Sequence, residues 1–157
     1  MSAKINFNQL IEELEIQMEE GRSFFHLKTG DIVNVFTEDL RAAEDDEPYE
    51  HLPEWQQEIR ETAIDIIENK DDYIELPAKE DIDEYEIIEE FCLSMNDARK
   101  QDILLRAIRG KGAFRRFKDT IAEFTIEDQW YAFRTERLKE IAIKWCQFNG
   151  IEYFDKN

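Results

Sequence analysis

The sequence predicts an α+β fold: one globular domain, residues 1–157, with several amphipathic helices packed on a small antiparallel sheet. Three observations carry this expectation. Apolar side chains recur at i, i+3, i+4 and i+7 along several stretches, as they do in helices buried on one face. Two β-prone runs flank a short polar turn near residue 30. The chain is 42% hydrophobic over 157 residues, enough for one sizeable core and too apolar for a disordered segment.

Taken in chain order, the first helix is expected over residues 6–19, with Phe7, Leu10, Ile11, Leu14 and Met18 on its buried face and Gly21 near its C-cap. A hairpin follows at about 22–36. Its strands carry Phe24-Phe25-His26-Leu27 and Ile32-Val33-Asn34-Val35-Phe36, and Gly30 supplies the positive φ a tight turn needs. A lone hairpin is marginal in water, so it must pack on something. Thr37 is the expected N-cap of a short helix over 38–44. The stretch 44–53, acidic and holding Pro48 and Pro53, is expected to be a mobile loop, too short for a domain boundary.

A helix over 54–69 presents Trp55, Ile59, Thr62, Ala63 and Ile66 on one side. A short strand near 73–77 ends at Pro77. One long helix is expected over 79–95, with Ile82, Tyr85, Ile88, Cys92 and Met95 as its inward seam. Ser94 or Asn96 caps the next helix, over 97–109. Gly110 and Gly112 break the chain. Phe114, Phe117, Ile121 and Phe124 then form an aromatic stripe of core spacing. Thr125 and Asp128 read as a capping-box variant opening the last helix, over 126–148. Its apolar arc holds Trp130, Phe133, Leu138, Ile141, Trp145 and Phe148. The three tryptophans all fall on such arcs and are expected in the core. A further short strand is expected near 151–154.

Charge is segregated. The chain carries 38 acidic and 20 basic side chains, net −18. Residues 37–92 hold 22 acidic and 4 basic groups, while residues 93–157 are net +3. Such a field keeps the chain soluble, disfavours nucleic acid and suits a basic partner. From Ile103 to Lys118 no acidic residue occurs, and Arg106, Arg109, Lys111, Arg115, Arg116 and Lys118 all fall within that run. On a helical wheel Arg115 and Arg116 lie opposite the Phe114/Phe117/Ile121 face, toward solvent. The segment Gly110-Lys111-Gly112-Ala113 precedes a helix, where free N–H groups and the dipole favour an anion. Two readings stay open: a solvated face that balances nearby carboxylates, or a contact for an anion or a macromolecule. Arg134 lies near the centre of the last helix's apolar arc and requires a carboxylate or carbonyl partner there. A sharper version has it lining one anion pocket with residues 110–118.

Signals for catalysis are lacking. There is no Cys-x-x-Cys, His-Glu-x-x-His, calcium-loop or Gly-x-Ser-x-Gly spacing. His26 and His51 stand apart from Cys92 and Cys146, which read as buried free thiols. Carboxylates such as Asp81, Asp83 and Glu84 are too abundant for any one to be singled out as a general acid or base. No cofactor motif and no apolar run long enough to span a bilayer is present. Met1–Asn6 lacks the apolar core of a leader peptide, and the expected setting is a reducing cytoplasm.

The runs Phe24-Phe25-His26-Leu27-Lys28-Thr29-Gly30-Asp31-Ile32, Tyr73-Ile74-Glu75-Leu76-Pro77 and Tyr85-Glu86-Ile87-Ile88-Glu89-Glu90-Phe91 resemble one bacterial family. So do Ala107-Ile108-Arg109-Gly110-Lys111-Gly112-Ala113-Phe114-Arg115-Arg116-Phe117-Lys118-Asp119 and Trp130-Tyr131. Together they resemble the uncharacterised protein family 0158, from about residue 5 to residue 154. The Gly-Lys-Gly-Ala-Phe-Arg-Arg-Phe-Lys stretch is the most specific part. The resemblance implies a bacterial cytosolic domain and brings no catalytic residue. The resulting expectation is a non-enzymatic binding or regulatory module that meets a protein partner through segregated acidic (37–92) and basic (103–118) surfaces. The alternative is an enzyme or sensor holding a small phosphorylated or carboxylated ligand. The anion or partner contacts would be Arg109, Lys111, Arg115, Arg116, Lys118 and Arg134.

Overall fold

Strand β2 (Gly21–His26) is paired along both edges, and the architecture of the N-terminal half follows from it. The computed structural model describes residues 3–16 and 20–155. Among these the chain is α+β, with seven α-helices, a three-stranded antiparallel sheet and a two-stranded parallel one. It divides into two compact units, residues 1–81 with 141–157, and residues 82–140.

In the first unit, β2 pairs with β3 (Ile32–Phe36) in the register Gly21↔Phe36 to Phe25↔Ile32. It pairs with β4 (Tyr73–Glu75) in the register Phe24↔Glu75 to His26↔Tyr73. The β2–β3 turn is the expected one. Gly30 sits at φ 81°, and a Cβ there would come within 3.2 Å of the Ala3 side chain. Alternation along β2 sends consecutive phenylalanines to opposite faces, and both Phe24 and Phe25 are buried. On the Phe24 side lie Val35, Leu40 from α2 (Thr37–Glu44), and Ala63 and Ile66 from α3 (Glu54–Glu68). Burying one such phenylalanine contributes about 2–3 kcal/mol. The two helices are further joined by a pair that no sequence pattern signalled. Arg60 Nε donates to Asp39 Oδ1 at 3.1 Å, both side chains nearly enclosed.

The other expectations for this unit need adjustment. Helix α1 (Phe7–Glu15) buries Phe7, Leu10, Ile11 and Leu14 as expected, with Asn6 as N-cap. Met18 lies outside the described residues. Gly21 opens β2 rather than closing the helix, because α1 stops at a C-cap on Ile16. Thr37 is the first helical residue of α2, not its cap. The terminal strand β5 (Tyr153–Phe154) does not join the antiparallel sheet. It runs parallel to β1 (Ile5–Asn6), in the register Ile5↔Tyr153. Trp55 is 57% exposed rather than in the core. It lies in the first turn of α3, beyond the part of the helix that covers the sheet. Trp145 is half-buried, and its Nε1 donates to the Glu75 carbonyl at 3.0 Å.

In the second unit, the long helix expected over 79–95 is two pieces. A 3₁₀ turn occupies Lys79–Asp81, and α4 (Glu84–Leu93) begins with Asp83 accepting from the Glu86 N–H. Asp97, not Ser94 or Asn96, caps α5 (Ala98–Ala107) by accepting from the Arg99 and Lys100 N–H groups. Ser94 closes α4 instead. After α6 (Ala113–Glu123), α7 (Glu127–Asn149) starts without the predicted box. Thr125 has φ 53°, and its hydroxyl donates to the adjacent Phe124 carbonyl. The core of this unit is aromatic. Phe91 meets Phe117, Trp130 and Phe133 edge-on, at ring-centre separations of 5.4–6.1 Å. Phe114 and Phe148, expected inside, are exposed. Of the seam predicted for 79–95, Ile82, Ile88 and Cys92 are buried, while Tyr85 is exposed with its hydroxyl donating to the Ile108 carbonyl. No described helix is long and apolar enough to cross a membrane.

Removing one partner of the enclosed α2–α3 pair strands the other charge. Arg60→Ala is expected to lower the stability measured by urea unfolding by about 3 kcal/mol, whereas an Asp39→Leu, Arg60→Met double variant regains most of it. A single-variant loss under about 1 kcal/mol would mean that the pair behaves as an exposed one.

Candidate functional site

The basic run lies in the second unit, where the chain leaves α5, turns through two glycines and enters α6. Gly110 and Gly112 both take positive φ, 73° and 78°. Gly112 is the N-cap residue of α6 and has no side chain with which to cap it. The turn is held by Arg116. Its guanidinium donates to the carbonyls of Ala107, Arg109 and Lys111, at 2.8 Å for the first. One side chain from the first turn of α6 thus ties down the last carbonyl of α5 and two carbonyls of the turn that follows. Arg116 is exposed, as expected, but its guanidinium is taken up by these carbonyls. The fit is close, because a Cβ on Gly112 would lie 2.9 Å from Arg116 Nη1.

The remaining cations of the run differ. Arg106 pairs with Asp102 one turn earlier, at 3.0 Å. Arg109, Lys111, Arg115 and Lys118 are all exposed, and among the described residues none of the four makes an ion pair. Arg115 and Lys118 are three apart within α6 and so share one of its faces, while Lys111 lies in the turn before the N-cap. Phe114, 51% exposed, lies among them. Its spacing from Phe117 suggested a common core stripe. A helix buried on one side leaves the flank of such a stripe in water, and Ala113, Phe117 and Ile121 are the buried residues of α6.

Arg134 lies apart from this patch chemically. Its Nε donates to Glu84 Oε1 at 3.1 Å, and its Nη2 reaches the same carboxylate. This is the partner its position in the apolar arc called for, and it occupies the guanidinium. Arg137 is likewise taken up by Glu90, with Glu140 at 3.5 Å. Arg109, Lys111, Arg115 and Lys118 therefore stay exposed and outside ion pairs between the end of α5 and the first turns of α6, while Arg116 and Arg134 are engaged within the unit.

Other groups with chemical potential are also accounted for. His26 Nδ1 accepts from the Lys28 and Thr29 N–H groups at 3.1 and 3.2 Å, so its lone pair serves the hairpin turn. The His26 ring packs edge-on against Tyr73. Burial, and then a hydrogen bond to Asp65, push the Tyr73 hydroxyl well above its usual range. Asp81 accepts from the Ala78 N–H and Asp83 caps α4. Cys92 and Cys146 are buried and unpaired, and burial pushes each thiol up to about 11. In the first unit Arg22 makes a two-pronged bond to Glu75, with Nε to Oε2 at 2.7 Å, which raises its guanidinium above the ordinary value despite partial burial. No cluster of three or more metal-ligating side chains occurs among the described residues.

A family model described as an uncharacterised protein family, UPF0158, matches residues 3–157. The chain belongs to that family. No curated protein and no solved structure matches it. Membership in UPF0158 brings no reaction with it, so the reading of this member's surface rests on its geometry. Sequence reasoning found the basic run but missed that Arg116 is its fastener and Phe114 its exposed apolar centre. The signal for the first was present in the two glycines. A turn that ends one helix and starts another leaves carbonyls that need a donor.

Two outcomes test these assignments. Arg116→Ala is expected to cost about 1–2 kcal/mol in urea unfolding through its lost carbonyl bonds, whereas Arg115→Ala on the next residue changes stability by less than about 0.5 kcal/mol. Equal effects would remove the fastening role. The raised thiols give a second test. A folded-state value of about 11 against roughly 8.5 in the unfolded chain means that the folded protein holds these protons more tightly. Their contribution is therefore complete below about pH 8.5 and is lost as pH rises toward 11. Ellman's reagent at pH 8 should react slowly with both cysteines in the native protein and rapidly in urea. Fast labelling of the native protein would contradict the burial.

Proposed function

We propose that the protein is a non-enzymatic binding or regulatory module whose α6 face docks an acidic segment of another protein. One observation carries the reading. Arg109, Lys111, Arg115 and Lys118 are exposed and outside ion pairs, within the same ten-residue stretch as the exposed Phe114, in a chain with 38 carboxylates. Exposed ion pairs form readily when opposite charges are near, so a patch that keeps four cations free remains open to carboxylates from elsewhere. An aromatic ring flanked by arginine is the composition that protein interfaces favour, with charge steering the encounter and the ring supplying buried area. The net charge of −18 weighs against nucleic acid as the partner. Two buried free thiols fit a reducing cytoplasm as its setting.

The alternative, a small phosphorylated or carboxylated ligand at residues 110–118, has lost two of its groups. Arg116 is spent on carbonyls and Arg134 on Glu84. It keeps Arg109, Lys111, Arg115 and Lys118.

The test compares wild type with an Arg115→Glu, Lys118→Glu double variant and with Phe114→Ala, as baits in a cell extract, with and without nuclease. Arg116 is left intact because it holds the turn. A protein captured by wild type, weakened by both variants, lost at high salt and indifferent to nuclease is the expected result. Identical capture by all three baits would overturn the docking face. A melting temperature that climbs with inorganic phosphate by the mass-action amount would favour the small-anion site instead.

A further inference from the structure

The first unit carries a second unpartnered surface, of opposite charge. Two clefts, of about 600 and 710 Å³, open on it. They share Phe36, Thr37 and Ile59 as a common wall, and so adjoin as one groove. One lies over the end of the sheet where β2 begins and β4 finishes. The other lies against the first turns of α2 and α3. Large apolar side chains stand exposed along the groove: Ile16 at 66%, Trp55 at 57%, and Phe36 between them. Monomers seldom leave several large apolar groups in one concavity unless something covers them.

The charge around the groove says what that cover is. Among the described residues, six carboxylates and three cations line the two clefts. Arg22 is paired with Glu75, Arg60 with Asp39 and Glu38 with Arg41, so three of these carboxylates are themselves engaged, and Glu13, Glu20 and Glu80 complete the acidic lining. The unit as a whole carries 25 acidic and 9 basic side chains, net −16. Such a field repels nucleic acid and anionic lipid and draws in a cation-rich partner. The ligand must then combine apolar anchors with flanking positive charge. An amphipathic helix does both: it lays residues i, i+3 or i+4, and i+7 into an apolar groove and holds Lys and Arg along the flanks.

We propose that this groove docks a basic amphipathic helix of a partner protein, with Trp55 and Phe36 as the apolar contacts and the carboxylate rim setting its charge preference. The site shares no residue with the α6 face and does not depend on it.

The test uses the whole chain and three synthetic helical peptides of about 14 residues, four turns. One has leucines on one face and lysines on the other. The second replaces its lysines with glutamates, and the third replaces its leucines with alanines. Binding is read by anisotropy of a labelled peptide and by tryptophan emission. The leucine/lysine peptide alone should bind tightly, with a blue shift in emission. Trp55→Glu should weaken it by about tenfold or more. Trp55→Phe should keep the affinity and lose the spectral shift, which holds the test open if Trp55→Glu folds poorly. Charge reversal at the rim, Glu20→Lys with Glu80→Lys, should also weaken binding. The Arg115→Glu, Lys118→Glu variant should bind as wild type does, which separates this groove from the α6 face. The proposal is overturned if the alanine/lysine peptide binds as well as the leucine/lysine one. It is overturned equally if the emission shift persists in Trp55→Phe.

Discussion

Strand β2 has neighbours on both edges and buried aromatics on both faces, and the first unit is organised to meet that constraint. A strand with two consecutive buried phenylalanines cannot turn either face to water. Covering Phe24 takes α2 and α3, which bring Leu40, Ala63 and Ile66. Covering the edges takes β3 on one side and β4 on the other, although β4 is drawn from more than forty residues further along the chain. The Arg22–Glu75 bond and the Trp145 indole on the Glu75 carbonyl then fasten β4 at one residue. The groove is a by-product of this arrangement. It lies where the paired strands end and the helices that cover them begin.

Cations are the scarce component, and how they are spent separates structure from surface. With 20 lysines and arginines against 38 carboxylates, every cation has a choice of partners. Several are committed in enclosed or half-enclosed places: Arg60 on Asp39, Arg134 on Glu84, Arg137 on Glu90. Such pairs add little net stability over apolar packing, yet losing one member is costly, so they act as fasteners whose removal is felt. Arg116 is committed differently, to three carbonyls. Against that background the four free cations of the α6 face stand out. Among the described residues they stay outside ion pairs, although Asp119 follows Lys118 directly.

The two surfaces differ in how visible they were before folding. The α6 patch follows from local facts, a run without acidic residues and a glycine pair ahead of a helix, so its position was readable in advance. Its membership was not, because Arg115 and Arg116 are neighbours of identical chemistry and only the path of the glycine turn decides which one folds back. The groove was not legible at all. Trp55 is in phase with Ile59, Ala63 and Ile66, and periodicity reports the direction a side chain points, not whether anything lies opposite.

The sequence by itself determined the α+β class, the hairpin with its glycine turn, the buried faces of α1 and the interior of α6, and the need of Arg134 for a partner. All of these depend on residues within a few positions of one another, or on the cost of burying a charge, which is the same wherever the partner comes from. Tertiary structure alone decided the strand order β3-β2-β4, the separate parallel pairing of β1 with β5, and the identity of the partners on Arg60, Arg116 and Arg134. It also decided which aromatics of a correct helical phase stay in water. Those outcomes depend on what meets what across long stretches of chain, and backbone pairing and packing carry no local sequence signature for that.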